Sequence, residues 1–249
     1  MPSYLITGAG RGLGLVLVRQ LLKKPDTFVI ATARKPEASQ GLQSLAKEYS
    51  KDRLVLFRLD VLDFASYDAL AAKVAPLLPN GLDYLINNAG VSYQDYIPFD
   101  KIDLKLYEEE LRVNAIAPIH VTRTFLPLIR KGKAKKIVFF TSILGSITLA
   151  TNWSDLQPVY SVSKAALNTT VRLWAVPLAS EGIATVLLHP GWAGTDMGNK
   201  NDAYFAERKI PAVKITPDEA IEKTLKVIDD APLTGDIKYY NNDGTEFPW

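Results

Sequence analysis

The sequence has no cysteine. Disulfides, thiolate nucleophiles and zinc–thiolate centres are therefore excluded together. Histidine is nearly as scarce, with His120 and His189 the only two in 249 residues. They lie too far apart in sequence to form a spaced metal-ligand pair, and neither metal nor Ser-His catalysis is expected. His120, inside an apolar stretch, reads as a helix-packing residue. Excess charge of one sign is also lacking: 29 Lys+Arg against 27 Asp+Glu leave a net of +2. That offers no dedicated face for nucleic acid or an acidic membrane. The one dense basic run, Lys131, Lys133, Lys135 and Lys136, reads as a solvated loop between a helix and a strand. The longest uncharged stretch, Ile137 to Ser154, is interrupted by Thr, Ser, Gly and Asn too often to span a membrane. A strand-like run begins by Tyr4, before a charged and apolar leader would fit, so a cytoplasmic, soluble protein is expected.

What is present is ordinary globular composition: 47% hydrophobic and 22% charged residues. A chain of this length buries about 75% of its extended surface without staples, and one domain over 1–249 is expected. Short apolar runs occur at Tyr4 to Thr7, Phe28 to Ala33, Leu54 to Leu59, Tyr84 to Asn87, Ile137 to Thr141, Ala184 to His189 and Ile237 to Tyr240. They read as buried parallel strands. Helical spacing fills the intervals, for example Leu13, Val16, Leu17, Leu21 and then Tyr67, Leu70, Val74. The alternation predicts a Rossmann-type, doubly wound parallel sheet of about seven strands with helices on both faces. Ligands bind such a sheet beyond the carboxyl ends of its strands. Two long apolar-rich helices, near Leu104 to Ile129 and Ser161 to Ala179, leave room for a homo-oligomer face, although core packing explains most of their pattern.

The first strand runs into Thr7-Gly8-Ala9-Gly10-Arg11-Gly12-Leu13-Gly14 and then a helix pattern. Glycines there permit a tight turn, so that free N–H groups and the positive end of the helix dipole face a pyrophosphate. Gly8, Arg11, Gly12, Leu13 and Gly14 are the candidate phosphate-binding residues. A purely structural strand-to-helix turn is the competing reading. Cofactor choice is read after the second strand, where an acid would hold the ribose hydroxyls of NAD. Arg34 and Lys35 stand there instead, with Arg11 as a third cation, which favours the 2′-phosphate of NADP. Arg34 and Lys35 as solvated loop cations is the alternative.

Further on come Asn87-Asn88-Ala89-Gly90, Asn114, Ser142, Tyr160-Ser161-Val162-Ser163-Lys164 and Pro190-Gly191. Tyrosine and lysine four apart occur together about once by chance in this composition, so the pair gains meaning from its position 18 residues after Ser142 and from the order of the whole set. With the glycine turn, these motifs resemble the short-chain dehydrogenase/reductase family over nearly the whole length. Thr141 to Ser146, His189 to Trp192, Thr195 to Gly198 and the end from Asp243 to Trp249 resemble its sniffer and C-factor-like carbonyl reductases.

A lysine one helical turn from a tyrosine faces the same way, and its charge is expected to lower the phenol pKa from about 10. The resemblance implies NADPH-dependent reduction of an aldehyde or ketone, with Tyr160 as general acid and Ser142 orienting the carbonyl. It implies Lys164 on the nicotinamide ribose and Asn114 holding a proton-relaying water. It also places Asp60 and Val61 beside the adenine, Asn88, Ala89 and Gly90 along the cofactor, and Pro190, Gly191 and Thr195 at its nicotinamide end. Asp60 capping the following turn and Asn114 as a helix-bending polar group stay open. So does Ser146, nearer in sequence to Tyr160 than Ser142 is. The extra length becomes an insertion around 149–158 forming one pocket wall, and 192–214 is expected to close as a lid. Apolar residues in both favour a small hydrophobic carbonyl substrate. An NAD-dependent alcohol dehydrogenase of the same fold and a non-catalytic NADP sensor or scaffold are the alternatives.

Overall fold

The computed structural model describes residues 1–209 and 213–249. Its frame is one parallel sheet in the order β3-β2-β1-β4-β5-β6-β7. The strands are β1 (Ser3–Ile6), β2 (Phe28–Ala33), β3 (Leu54–Arg58), β4 (Tyr84–Asn87), β5 (Lys136–Phe140), β6 (Ala184–His189) and β7 (Tyr239–Asn241). Leu5 pairs with Ile30 on one side and Leu85 on the other. Successive side chains alternate between faces. Tyr4 and Ile6 enter one core with Leu17, Leu21, Ile221 and Leu225. Leu5 enters the other, with Leu70, Val121, Phe125 and Val171. The first core lies under α1 (Gly12–Leu22), α2 (Gln40–Glu48) and α9 (Pro217–Asp230). The second lies under α3 (Tyr67–Val74), α5 (Ala117–Lys131) and α6 (Pro158–Ser180), with α4 (Leu104–Leu111) leading into α5. From β1 the chain winds outward through β2 and β3, then returns to β4 on the opposite side. This reversal opens a crevice beyond the carboxyl ends of β1 and β4.

Three local readings are corrected. The last strand is Tyr239–Asn241 and not Ile237 to Tyr240: Ile237 is 4% exposed and packs in the core, but pairing begins with Tyr239 opposite Leu187. Apolarity reports burial, and here it precedes the hydrogen-bonded register. The helix expected over Leu104 to Ile129 contains a π-helical turn at Arg112–Ile116. Lys136 is no solvated loop residue, because its Nζ donates to the carbonyls of Ile228, Asp229 and Ala231 at 2.7, 2.8 and 3.1 Å. A cation there satisfies the orphan carbonyls at the end of α9 and complements its dipole. His120 stacks on Phe64 with ring centroids 4.2 Å apart, a packing role. No helix among the described residues is long and apolar enough to cross a membrane.

The 149–158 segment begins with a 3-10 turn at Ala150–Trp153 and bridges Tyr96 through Leu156. It ends at Gln157, whose φ of +48° lies in the left-handed region; Pro158 then opens α6. Proline suits a first helical position, since its fixed φ is helical and its missing N–H has no partner there. Two short helices follow β6, α7 (Asp196–Asn199) and α8 (Asp202–Glu207). The expected 192–214 lid therefore includes both, while its positions 210–212 lie outside the described residues.

Candidate active site

At the carboxyl end of β1 the glycine turn is fixed by close approach. A Cβ on Gly8, whose φ is +68°, would lie 2.8 Å from the Ala89 Cα, and one on Gly14 would lie 2.4 Å from the Gly8 oxygen. Thr7, which sequence reasoning passed over, joins this turn to the loop after β4. Its hydroxyl accepts from the N–H groups of Asn88 and Ala89, each at 3.1 Å, while Asn88 Nδ2 donates back to the Thr7 and Gly8 carbonyls. Helix α1 starts at Gly12 with no side-chain cap and no acid in its first turn. Its first N–H groups and the positive end of its dipole thus face the crevice, a fit for a dinucleotide pyrophosphate. Leu13 anchors the turn by packing on the core.

The cations lie around this turn. Arg34 and Lys35 follow β2 with exposed side chains. Arg11 is exposed too and pairs with Asp196 at 3.2 Å. Thr195 caps α7, accepting from the Gly198 N–H at 3.2 Å, and brings its methyl to 3.7 Å from a Cβ built on Gly12. Pro190 accepts from Asn242 Nδ2 at 3.3 Å, and Gly191, at φ +86°, has no room for a Cβ beside that amide. On the other flank, Asp60 Oδ1 accepts from the Leu62 N–H at 3.0 Å, so it caps its own turn, and the Val61 carbonyl accepts from the Tyr67 hydroxyl at 2.8 Å.

Four candidate catalytic side chains are brought together behind these loops. Tyr160 and Lys164 are one turn apart on α6, with the Lys164 Nζ 5.5 Å from the Tyr160 ring centroid. That Nζ donates to the Phe140 carbonyl at 2.8 Å. Asn114, fully buried in the π turn, joins two segments: its Nδ2 donates to the Val91 carbonyl at 2.8 Å and to Ser163 Oγ at 2.9 Å, and its Oδ1 accepts from the Val91 N–H. Pro118, four residues on, has no N–H to close an α-helical bond to the Asn114 carbonyl. A π turn at such a position is a recurrent feature of functional sites. A Cβ on Gly90 would stand 3.3 Å from Asn114 Oδ1 and 3.7 Å from Lys164 Nζ, which places the loop after β4 against both.

The two serines separate clearly. Ser142 lies two residues past β5, capping the next turn beside the Tyr160 phenol, and its carbonyl accepts from the hydroxyl of Tyr239. Ser146 faces away, its hydroxyl donating to the Pro248 carbonyl at 2.7 Å.

The electrostatics reverse one expectation. Burial pushes the Tyr160 phenol above its ordinary value; the neighbouring Ser142 hydroxyl pulls it back, and the charge of Glu110 pushes it further up. The Lys164 ammonium lies near the ring and is itself lowered to about 8 by burial. Desolvation thus outweighs the adjacent charge that the spacing had emphasised. Burial also lowers His189, at the end of β6, to about 4, so it stays neutral near pH 7.

Three segments enclose the outer side. Lys200 Nζ reaches the Ser92 carbonyl and the Asp95 carboxylate, each at 3.0 Å. Tyr204 stacks on Tyr96 with centroids 5.3 Å apart and donates to Asp155 at 2.9 Å, and Arg208 pairs with Asp155. Trp192 packs on Phe205 at 4.5 Å. The aromatic residues of the expected lid therefore spend much of their surface on one another.

Known proteins share this arrangement. The family model for short chain dehydrogenases matches residues 3–204. An uncharacterized oxidoreductase of Schizosaccharomyces pombe is 33% identical, with 99% of this chain and 97% of that one aligned. The structure of NADPH-bound carbonyl reductase from chicken fatty liver is similar with a TM-score of 0.86 at 34% identity, covering 100% of this chain and 99% of that one. Carbonyl reductase Sniffer of D. melanogaster gives 0.88 at 31%, covering 100% of both chains. A parallel sheet in this order, a glycine turn at its switch point and a Tyr160–Lys164 pair on α6, together with these matches, place the chain in the short-chain dehydrogenase/reductase family of oxidoreductases.

Proposed function

We propose that this oxidoreductase reduces an aldehyde or ketone to the alcohol with NADPH. The observation that carries the reading is the burial of Tyr160 between Ser142 and Lys164, with its proton held tightly. A phenol that keeps its proton near neutral pH stands in the donor form, and the Ser142 hydroxyl and the nearby Lys164 ammonium are the groups that favour release of that proton as the reaction proceeds. When bound, the nicotinamide supplies hydride to the carbonyl carbon. Tyr160 gives its proton to the carbonyl oxygen, and the Ser142 hydroxyl orients that oxygen and stabilises its developing charge. Lys164, fixed to the end of β5, is the group that reaches the nicotinamide ribose. Asn114 fixes the loop after β4 and holds a water that relays protons to Lys164.

Gly8, Arg11, Gly12, Leu13 and Gly14 hold the pyrophosphate. Asp60, Val61, Asn88, Ala89 and Gly90 line the adenosine side, and Pro190, Gly191 and Thr195 line the nicotinamide side. Arg34 and Lys35 support NADPH over NADH, because each is an exposed cation where a carboxylate would repel the 2′-phosphate. The NADPH-bound chicken carbonyl reductase supports that choice. The 149–158 and 192–214 segments form the substrate wall and lid, and their apolar and aromatic content suits a hydrophobic carbonyl compound.

The test is oxidation of NADPH and NADH by purified protein over aromatic aldehydes, 1,2-diones and bulky ketones. Turnover preferring NADPH is expected. Preference for NADH with an alcohol product would favour the dehydrogenase alternative, and tight NADPH binding with no turnover on any member would favour a sensor.

A further inference from the structure

Ser142 caps a single 3-10 turn, Ile143–Gly145. Its Oγ accepts from the Leu144 N–H at 3.2 Å, and its carbonyl accepts from the Gly145 N–H at 2.8 Å. One lone pair of the hydroxyl is thus engaged inside the turn, and the hydroxyl proton remains to be donated. So short a 3-10 turn has little internal bonding to keep it in place. Where that proton points therefore depends on what fastens the turn from outside.

Asn168 supplies the fastening. It stands on α6 four residues after Lys164 and eight after Tyr160, so all three side chains share one helix face. The residue is 3% exposed. Its Oδ1 accepts from the Thr141 hydroxyl at 2.5 Å, and its Nδ2 donates to the Gly145 carbonyl at 3.1 Å. A single carboxamide therefore grips the residue before Ser142 and the last residue of the turn after it. Gly145 permits this approach, since a Cβ there would lie 2.9 Å from both Asn168 Nδ2 and Lys164 Cβ. From β7 the Tyr239 hydroxyl donates to the Ser142 carbonyl and lies beside Asn168 and Thr141. Helix α6 thus carries Tyr160 and also the side chain that fixes the Ser142 turn, so one rigid element sets the spacing between the two hydroxyls.

We propose that Asn168 is a positioning residue for carbonyl reduction: by holding Thr141 and Gly145 on either side of Ser142, it aims the Ser142 hydroxyl at the oxygen that Tyr160 protonates. This rests on the reading of Ser142 and Tyr160 as the pair that meets the substrate oxygen. Two donors must converge on one atom, and a misplacement of about 1 Å can cost about a hundredfold in rate. Asn168 acts through Ser142 and not on the reacting atoms.

The test is a cycle of Asn168→Ala, Ser142→Ala and the double variant. Asn168→Ala should lower kcat for carbonyl reduction by about tenfold to a hundredfold, while NADPH affinity stays within a few-fold of the parent. The double variant should be no slower than Ser142→Ala alone, because the residue through which Asn168 acts is already gone. Thr141→Val keeps the shape and removes the hydroxyl, and it should lower kcat by a smaller factor; Thr141→Ser, which keeps the hydroxyl, should stay close to the parent. A second readout needs no turnover: the amides of Leu144 and Gly145, which bond within the turn, should exchange faster in Asn168→Ala and Thr141→Val. Losses that multiply in the double variant would overturn the proposal, since Asn168 would then act elsewhere. So would parental kcat in Asn168→Ala, or unchanged exchange at Leu144 and Gly145. If the parent reduced no carbonyl compound, the assignment of the reaction would fail, while amide exchange would still decide whether Asn168 holds the Ser142 turn.

Discussion

Lys164 donates from its Nζ to the main-chain carbonyl of Phe140 at 2.8 Å, fixing the ammonium to the end of β5. That bond sets the side chain where the proposed chemistry needs it, but it does not offset burial, which lowers Lys164 from 10.5 to about 8. Between pH 8 and 10.5 the unfolded chain therefore binds more protons at this residue than the folded one, so folding stability should rise with pH across that window. Above about pH 10 the buried tyrosines oppose it, because they keep protons that the unfolded chain releases. Urea unfolding of the parent and Lys164→Met at pH 7, 8, 9 and 10 isolates the lysine. The substitution should abolish turnover, stabilise the fold at pH 7 by up to about 3 kcal/mol, and lose this advantage as pH rises. A difference independent of pH would show that Lys164 is not buried as a charge.

On the proposed reading, cofactor selection rests on Arg34 and Lys35, whose side chains are exposed. Charge-assisted hydrogen bonds of this kind are worth about 1.5–3 kcal/mol. Arg34→Ala should therefore weaken NADPH by about tenfold or more and leave NADH nearly unchanged. Titration of both cofactors by fluorescence checks this, and an equal loss would show that the 2′-phosphate is held elsewhere.

Asp155 gathers Tyr204 and Arg208 from the expected lid onto the 149–158 segment. The ion pair is about half exposed, and such pairs contribute about 0–1 kcal/mol. Asp155→Ala should consequently leave global stability and NADPH affinity almost unchanged. It should accelerate amide exchange over 196–208 and alter KM for bulky carbonyl compounds by several-fold. Slower exchange there would contradict the fastening.

Backbone crowding at the glycine turn gives a sharper stability effect. A methyl group at Gly14 meets the Gly8 carbonyl oxygen at 2.4 Å, an atom that cannot move without shifting the turn. Gly14→Ala should cost about 1–3 kcal/mol in unfolding free energy and also weaken dinucleotide binding.

Much of this architecture is legible in the sequence, because parallel strands buried on both faces advertise themselves as apolar runs. Phe28–Ala33, Tyr84–Asn87 and Ala184–His189 follow their expected limits residue for residue. Short edge strand β7 does not, since burial begins at Ile237 before pairing does. The glycine turn and the residues on α6 are legible because their spacing maps onto one turn or one helix face. Glu110 is not: in sequence it is one of three alike acids, and only the packing of α4 on α6 singles it out. The direction of the Tyr160 shift was misread for a related reason. Spacing reveals the neighbouring lysine, whereas the depth of burial emerges only when β5, α6 and the C-terminal segment close around the phenol.

The central claim is that Tyr160 donates the proton in carbonyl reduction. It is tested most directly by Tyr160→Phe, which removes one hydroxyl and preserves the ring against Lys164. General acid catalysis contributes about 10²–10⁴-fold, so turnover with NADPH should fall by that factor while NADPH affinity stays within a few-fold of the parent. Turnover close to that of the parent, at unchanged NADPH affinity, would contradict the assignment of Tyr160 as the acid.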